Sequence, residues 1–114
     1  MSDEISRDID DAEVEREARE QAKRDRVAML HALESWQHML DEYDGRQVLW
    51  SILESCGIYR SSFSQSSKQM AFNEGRRTVG LLVLNQVLTV APNAYNLMRN
   101  EAQEREKRRA KLDV

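Results

Sequence analysis

The sequence predicts an all-α fold of about four helices, and three observations carry that reading. A single Pro and four Gly in 114 residues leave long stretches uninterrupted. Apolar residues recur at steps of three and four, and cap-forming residues stand where the periodic stretches begin and end. Charged residues make up 32% and aromatics 6% of the chain, so its core has to be aliphatic and modest.

The first predicted helix opens with a charged extension, residues 1–26. Glu, Arg, Ala, Gln and Lys dominate it, and Ile5, Ile9 and Val14 are too sparse for a core face. Alone, such a stretch frays. A core module follows over residues 27–98. Met29, Leu33, Trp36, Leu40 and Tyr43 form an amphipathic seam that is expected to carry packing, either within the chain or between subunits. Helix continuing from Asp3 to Tyr43 would span roughly 60 Å.

Asp44 with Gln47 predicts a capping box opening a second helix over residues 45–56, with Tyr43 and Val48 as its hydrophobic staple. This helix is expected to bury Val48, Leu49, Ile52, Leu53 and Cys56. Gly57 is placed for a left-handed C′ position, and Ile58 for the fold-back of a Schellman motif. Residues 58–67 read as a loop, with five serines and Tyr59 and Phe63 as apolar anchors. Ser66 and Gln69 predict the cap of a third helix over 67–91, whose apolar second half is expected to be the central core helix. Gly75 and Gly80 inside it each cost about 1 kcal/mol relative to Ala, which implies close backbone approach, a kink or a function. Pro92 ends that helix, and a fourth over 93–111 turns Tyr95, Met98 and Ala102 inward before a charged tail, residues 99–114.

Charge narrows the functional classes. The net charge is −3, with nine Asp/Glu against three Lys/Arg in residues 1–20 and six Lys/Arg against four Asp/Glu in residues 99–114. Opposite-sign ends favour self-assembly, and they also complement helix dipoles. The lone Cys56 forms no internal disulfide, the acidic N-terminus is unlike a secretion signal, and the longest apolar run is far shorter than a membrane span. His31 and His38 share a helix face but lack the spacing of a zinc site. Cys56 falls on an apolar stripe, as an inert core thiol does. The reading is therefore of a non-enzyme with no catalytic residue, no metal, no cofactor and no small-molecule substrate.

One cluster is chemically distinctive. Arg60, Lys68, Arg76 and Arg77 are offset only by Glu74 between residues 60 and 77, with Tyr59, Phe63 and Phe72 nearby. Such a patch suits contact with nucleic-acid phosphates. The competing expectation pairs Arg76 and Arg77 with Glu74, Glu54 or the acidic first helix.

The stretch from Val48 to Phe63, with Cys56-Gly57-Ile58-Tyr59-Arg60 at its centre, is followed by Phe72-Asn73-Glu74-Gly75-Arg76-Arg77-Thr78-Val79-Gly80. Over about residues 45–101 this pattern resembles a family of small tailed-phage proteins typified by a virion-module protein of a Bordetella podovirus. Its most specific part here is the run Phe72-Asn73-Glu74-Gly75-Arg76-Arg77, and Gly57, Phe63 and Gly80 are further positions of the family pattern. The resemblance implies a virion structural accessory protein, internal or portal-proximal or associated with DNA ejection. It would be made in the host cytoplasm and carried in the particle, with phage virion proteins and copies of itself as partners. A DNA-binding or packaging accessory protein touching the packaged DNA, or a scaffold-like factor absent from mature virions, are the alternatives.

Overall fold

The long periodic stretches fold as four α-helices, α1 Ser2–Asp41, α2 Tyr43–Ser55, α3 Ser67–Val90 and α4 Ala94–Leu112. The computed structural model describes residues 2–112, with side chains from residue 6 onward; Ile5 therefore lies outside the described side chains. The all-α, four-helix expectation is met. The chain divides into two units, Met1–Ser35 and Trp36–Val114.

In the first unit every described side chain is exposed. Local pairs decorate the helix: Arg16 with Glu13 at 4.0 Å, Arg24 with Glu20 at 3.9 Å, and Gln21 donating to Asp25 at 2.9 Å. Pairs of this kind contribute about 0.2–0.5 kcal/mol each, too little to sustain a long helix alone. Ile9, Val14, Val27, Met29, Leu30 and Leu33 all face water, as does His31.

In the second unit α2 packs against both α3 and α4, which also touch each other. Leu40, Leu49, Leu53, Ile58, Val87, Ala94 and Met98 form the core, with Trp36, Trp50, Cys56, Leu84 and Tyr95 packed against it. The predicted seam is thus divided. Leu40 and Trp36 join the core, while Met29 and Leu33 belong to the exposed first unit.

The α1–α2 junction differs from the predicted capping box. Helix α1 stops at Asp41, and α2 begins at Tyr43 after an extended Glu42 whose side chain makes no cap bond. Asp44 sits inside the first turn of α2, where its charge favours the helix dipole rather than capping an N–H. The tightness of the junction explains the shift. A Cβ on Gly45 would collide with the Met39 carbonyl, and glycine removes that conflict. The Arg46 N–H donates to the Glu42 carbonyl at 3.0 Å and its Nη1 to the Leu40 carbonyl at 2.9 Å, so the turned chain keeps its backbone groups bonded. With Tyr43 the first residue of α2, the Tyr43–Val48 staple is not available, and Val48 is 55% exposed.

Arg46 also clamps α2 to α4. Its guanidinium meets the Glu101 carboxylate through Nε at 2.7 Å and Nη2 at 3.1 Å, with the two side chains 12% and 15% exposed. The Glu101 hydrogen bond raises the Arg46 pKa, against a smaller opposing effect of burial. Tyr43, at the same end, accepts a hydrogen bond from Arg105 Nη1 at 3.1 Å, and the Arg105 guanidinium lies 5.6 Å from its ring centre.

The end of α2 follows the predicted course. Gly57 has φ +69°, and its N–H donates to the Glu54 carbonyl at 3.1 Å. Ile58 folds into the core. The start of α3 is also as predicted, since Ser66 Oγ accepts from the Gln69 N–H at 3.3 Å.

Three burial expectations are corrected. Helix α3 is not the central core helix: it buries Gly80 and Val87, while Val79, Leu81, Leu82 and Leu88 are exposed. Only one stripe of α3 is covered by α2 and α4. On α2 itself Leu49 and Leu53 face inward and Ile52 outward, and in the loop Phe63 projects into solvent rather than anchoring it. Gly80 is where α3 comes close, since a Cβ there would stand 2.5 Å from Cys56 Cβ and 2.6 Å from Ile58 Cγ2. Gly75 has nothing within 4 Å.

Candidate functional site

Two surfaces of the second unit combine residue types suited to binding. The first is aromatic. Trp50 on α2 lies 5.8 Å from the ring of Tyr59, which follows Gly57, and 6.0 Å from the ring of Tyr95 on α4. The two tyrosine hydroxyls share a hydrogen bond of 2.7 Å, and Trp50 Nε1 donates to the Glu54 carboxylate at 2.6 Å. These polar tips hold the rings as one edge-linked cluster, with Tyr59 half exposed. Desolvation of the Tyr59 hydroxyl, followed by its bond to Tyr95, raises its pKa well above the usual phenol value. Arg99, Ala102 and Glu106 complete an open groove of 350 Å³ beside the rings. A neighbouring groove between α2 and α4 brings in Arg105 and Arg109. Trp, Tyr and Arg are the side chains that dominate interface energetics. Of this groove the sequence pointed only to Tyr59, and as an aromatic beside the basic cluster. The available signal was Trp50 standing one residue off the buried Leu49–Leu53 stripe.

The second surface is basic. Arg60, Arg76 and Arg77 line a cavity of 130 Å³ together with Cys56, Gly57, Ser61, Ser62 and Asn73. The left-handed turn at Gly57 and the hydrogen bond from the Arg60 N–H to the Gly57 carbonyl, at 3.1 Å, bring Arg60 back over the end of α2. Adjacent positions on α3 supply Arg76 and Arg77, and the Arg76 guanidinium lies 5.5 Å from the ring centre of Phe72. Asn73 Nδ2 donates to the Ser62 carbonyl at 3.3 Å, which ties the serine loop to α3. Within the second unit, the expected pairing of Arg76 and Arg77 with Glu74 or Glu54 is not formed among the described residues. Among the described residues the ion pairs are Arg16–Glu13, Arg24–Glu20, Arg46–Glu101 and Lys107–Glu104. Arg60 reaches only the backbone carbonyl of Glu54, at 3.3 Å.

Three of the four predicted phosphate-contact residues are therefore gathered and one is not, since Lys68 is exposed and does not line the cavity. Of the family-type positions, Gly57, Arg76 and Arg77 build the cavity, Phe72 supports Arg76, and Gly80 serves helix packing. Phe63, Glu74 and Gly75 face solvent.

A helical core with an aromatic groove and an arginine-lined cavity, preceded by a long charged helix, makes this a small all-α protein whose distinctive chemistry lies on its surface. Residues 36–102 match the Bbp19-like phage protein family, and the chain belongs to that family. Neither a curated protein nor a solved structure matches it. No helix among the described residues is long and apolar enough to cross a membrane.

Proposed function

We propose that this phage protein is a non-enzymatic virion accessory component acting through helix-mediated assembly with other virion proteins and with copies of itself. The observation that supports this reading is the first unit, where a helix of more than thirty residues keeps every described side chain exposed, Val27, Met29, Leu30 and Leu33 among them. An isolated helix held by local pairs is marginal in water, and packing on another chain supplies what it lacks. The interior of the particle, near the portal or with the proteins ejected alongside DNA, is the location this reading favours. Mass spectrometry of purified virions tests it. Stoichiometric presence in the particle is expected. Presence in infected cells but absence from particles would remove virion membership and leave the scaffold-like alternative.

A second reading, contact with packaged DNA, has its own support: Arg60, Arg76 and Arg77 converge on one cavity whose lining contains no carboxylate. It predicts duplex binding that weakens with salt and is lost in an Arg76→Ala/Arg77→Ala variant. Absence of binding at about 50 mM salt would reject it.

A further inference from the structure

The geometry points to a binding site for one phosphate-type oxyanion in the cavity lined by Arg60, Arg76 and Arg77. This goes beyond the assembly reading and stands without it, and it narrows the DNA reading to a single gripped phosphate.

Three permanently charged guanidiniums share a small cavity whose lining contains no carboxylate. Gathering like charges is unfavourable, and an anion at their centre reverses the sign of that interaction. Donors remain free to meet it. Arg76 and Arg77 make no side-chain hydrogen bond among the described residues, and Arg60 spends a single N–H on the Glu54 carbonyl. Ser61 Oγ accepts from the Phe63 N–H at 3.2 Å, which leaves its own proton to donate. Asn73 is already engaged on both sides, donating to Ser62 and accepting from Gln69 at 2.9 Å, so it positions the loop rather than the ligand.

Size and shape select the ligand class. At 130 Å³ the cavity is well below the roughly 300–1,000 Å³ of pockets for drug-sized ligands, so it takes one small group and no stacked base. Guanidinium forks match the paired oxygens of a tetrahedral phosphate. Gly57 lies in the wall because the turn that brings Arg60 back needs its φ of +69°; a Cβ there would meet Arg76 Nη2 only at ordinary contact, 3.8 Å. The phosphate comes either from a small phosphorylated molecule or from a DNA backbone.

The test is calorimetric titration of the full chain with inorganic phosphate in chloride buffer, and separately with a short DNA duplex. Saturable one-site binding of phosphate is expected, weakened about tenfold or more in Arg76→Gln and in Arg77→Gln. Ser61→Ala is expected to weaken it by a smaller factor, and Arg108→Gln, outside the cavity, to leave it unchanged. These side chains lie outside the core, so unaltered thermal midpoints will show that the variants fold. Heat that never saturates, or equal weakening by Arg108→Gln, overturns the proposal. If the duplex displaces phosphate and loses affinity in Arg77→Gln, the site is supported with DNA as its source. If phosphate binds and the duplex does not compete, the site is supported with a small phosphorylated molecule as its source, and the DNA reading alone falls.

Discussion

Replacing each of the two glycines inside α3 by alanine should move stability in opposite directions. Alanine at a helix interior gains about 1 kcal/mol of propensity over glycine, and both positions are entitled to it. At Gly75 nothing stands within 4 Å of the new methyl, so the gain is realised, and Gly75→Ala should stabilise the protein by about 0.5–1 kcal/mol. At Gly80 the methyl would sit 2.5 Å from Cys56 Cβ and 2.6 Å from Ile58 Cγ2, more than 1 Å inside ordinary carbon–carbon contact at about 3.5–4.0 Å. Neither neighbour is the far end of a flexible chain, and Ile58 is a core residue. Forcing apart a packed contact costs about 1–3 kcal/mol, which cancels or exceeds the propensity gain. Gly80→Ala should therefore be neutral to destabilising by about 2 kcal/mol. Urea denaturation reads both, through the midpoint at unchanged slope. For a folded unit of this size each kcal/mol corresponds to about 4–8 °C in melting temperature. Equal stabilisation by the two variants would refute the close approach of α3 to the end of α2.

Three further outcomes are expected. Arg46→Ala should destabilise the folded unit by about 3 kcal/mol, since it leaves Glu101 largely buried and unpaired and frees the Leu40 carbonyl; chemical denaturation would show it, and a loss below about 1 kcal/mol would mean the clamp is only a surface pair. Stability should fall as pH rises above the ordinary tyrosine range of about 10, because the raised Tyr59 pKa keeps a proton on the folded state that the unfolded state has already released; this contribution is fully present below the unfolded pKa and is lost upward through the folded one, and Tyr59→Phe should flatten that limb of a melting-versus-pH curve. Removing residues 1–35 should leave the thermal midpoint of the remainder unchanged while abolishing recruitment to particles, because every core residue lies at position 36 or beyond.

Local signals were legible in the sequence where one residue determines one backbone feature. Ser66 with Gln69 marked the start of α3, and Gly57 marked a left-handed turn. The α1–α2 junction was not, because Asp44 and Gln47 satisfy the capping pattern as well as Glu42 occupies the real N-cap. What shifts the start by two residues is the room made by the missing Cβ of Gly45 against Met39, a contact between helices that the capping pattern does not encode. The same holds for burial on α3. Its apolar second half is periodic all round, and only the arrangement of α2 and α4 decides which stripe is covered. The basic cluster was readable as a set of charges. Whether those charges met carboxylates or one another depended on where the turn at Gly57 placed Arg60, which composition does not encode.

The limits of the family match bear on where the function resides. It begins at Trp36, the first residue packed against the core, and ends at 102, one residue past Glu101, the partner of Arg46. The match thus covers every core residue and the Arg46–Glu101 clamp, and it leaves out the exposed stretch of α1 and the charged end of α4. The arginine cavity and the Trp50–Tyr59–Tyr95 cluster lie wholly within it. The surfaces the match includes are therefore those two, and the exposed part of α1 lies outside it. If assembly depends on α1 alone, transplanting residues 1–35 onto an unrelated carrier should direct that carrier to particles. If the core surfaces carry it, Trp50→Ala should block recruitment of the full-length protein even with α1 intact.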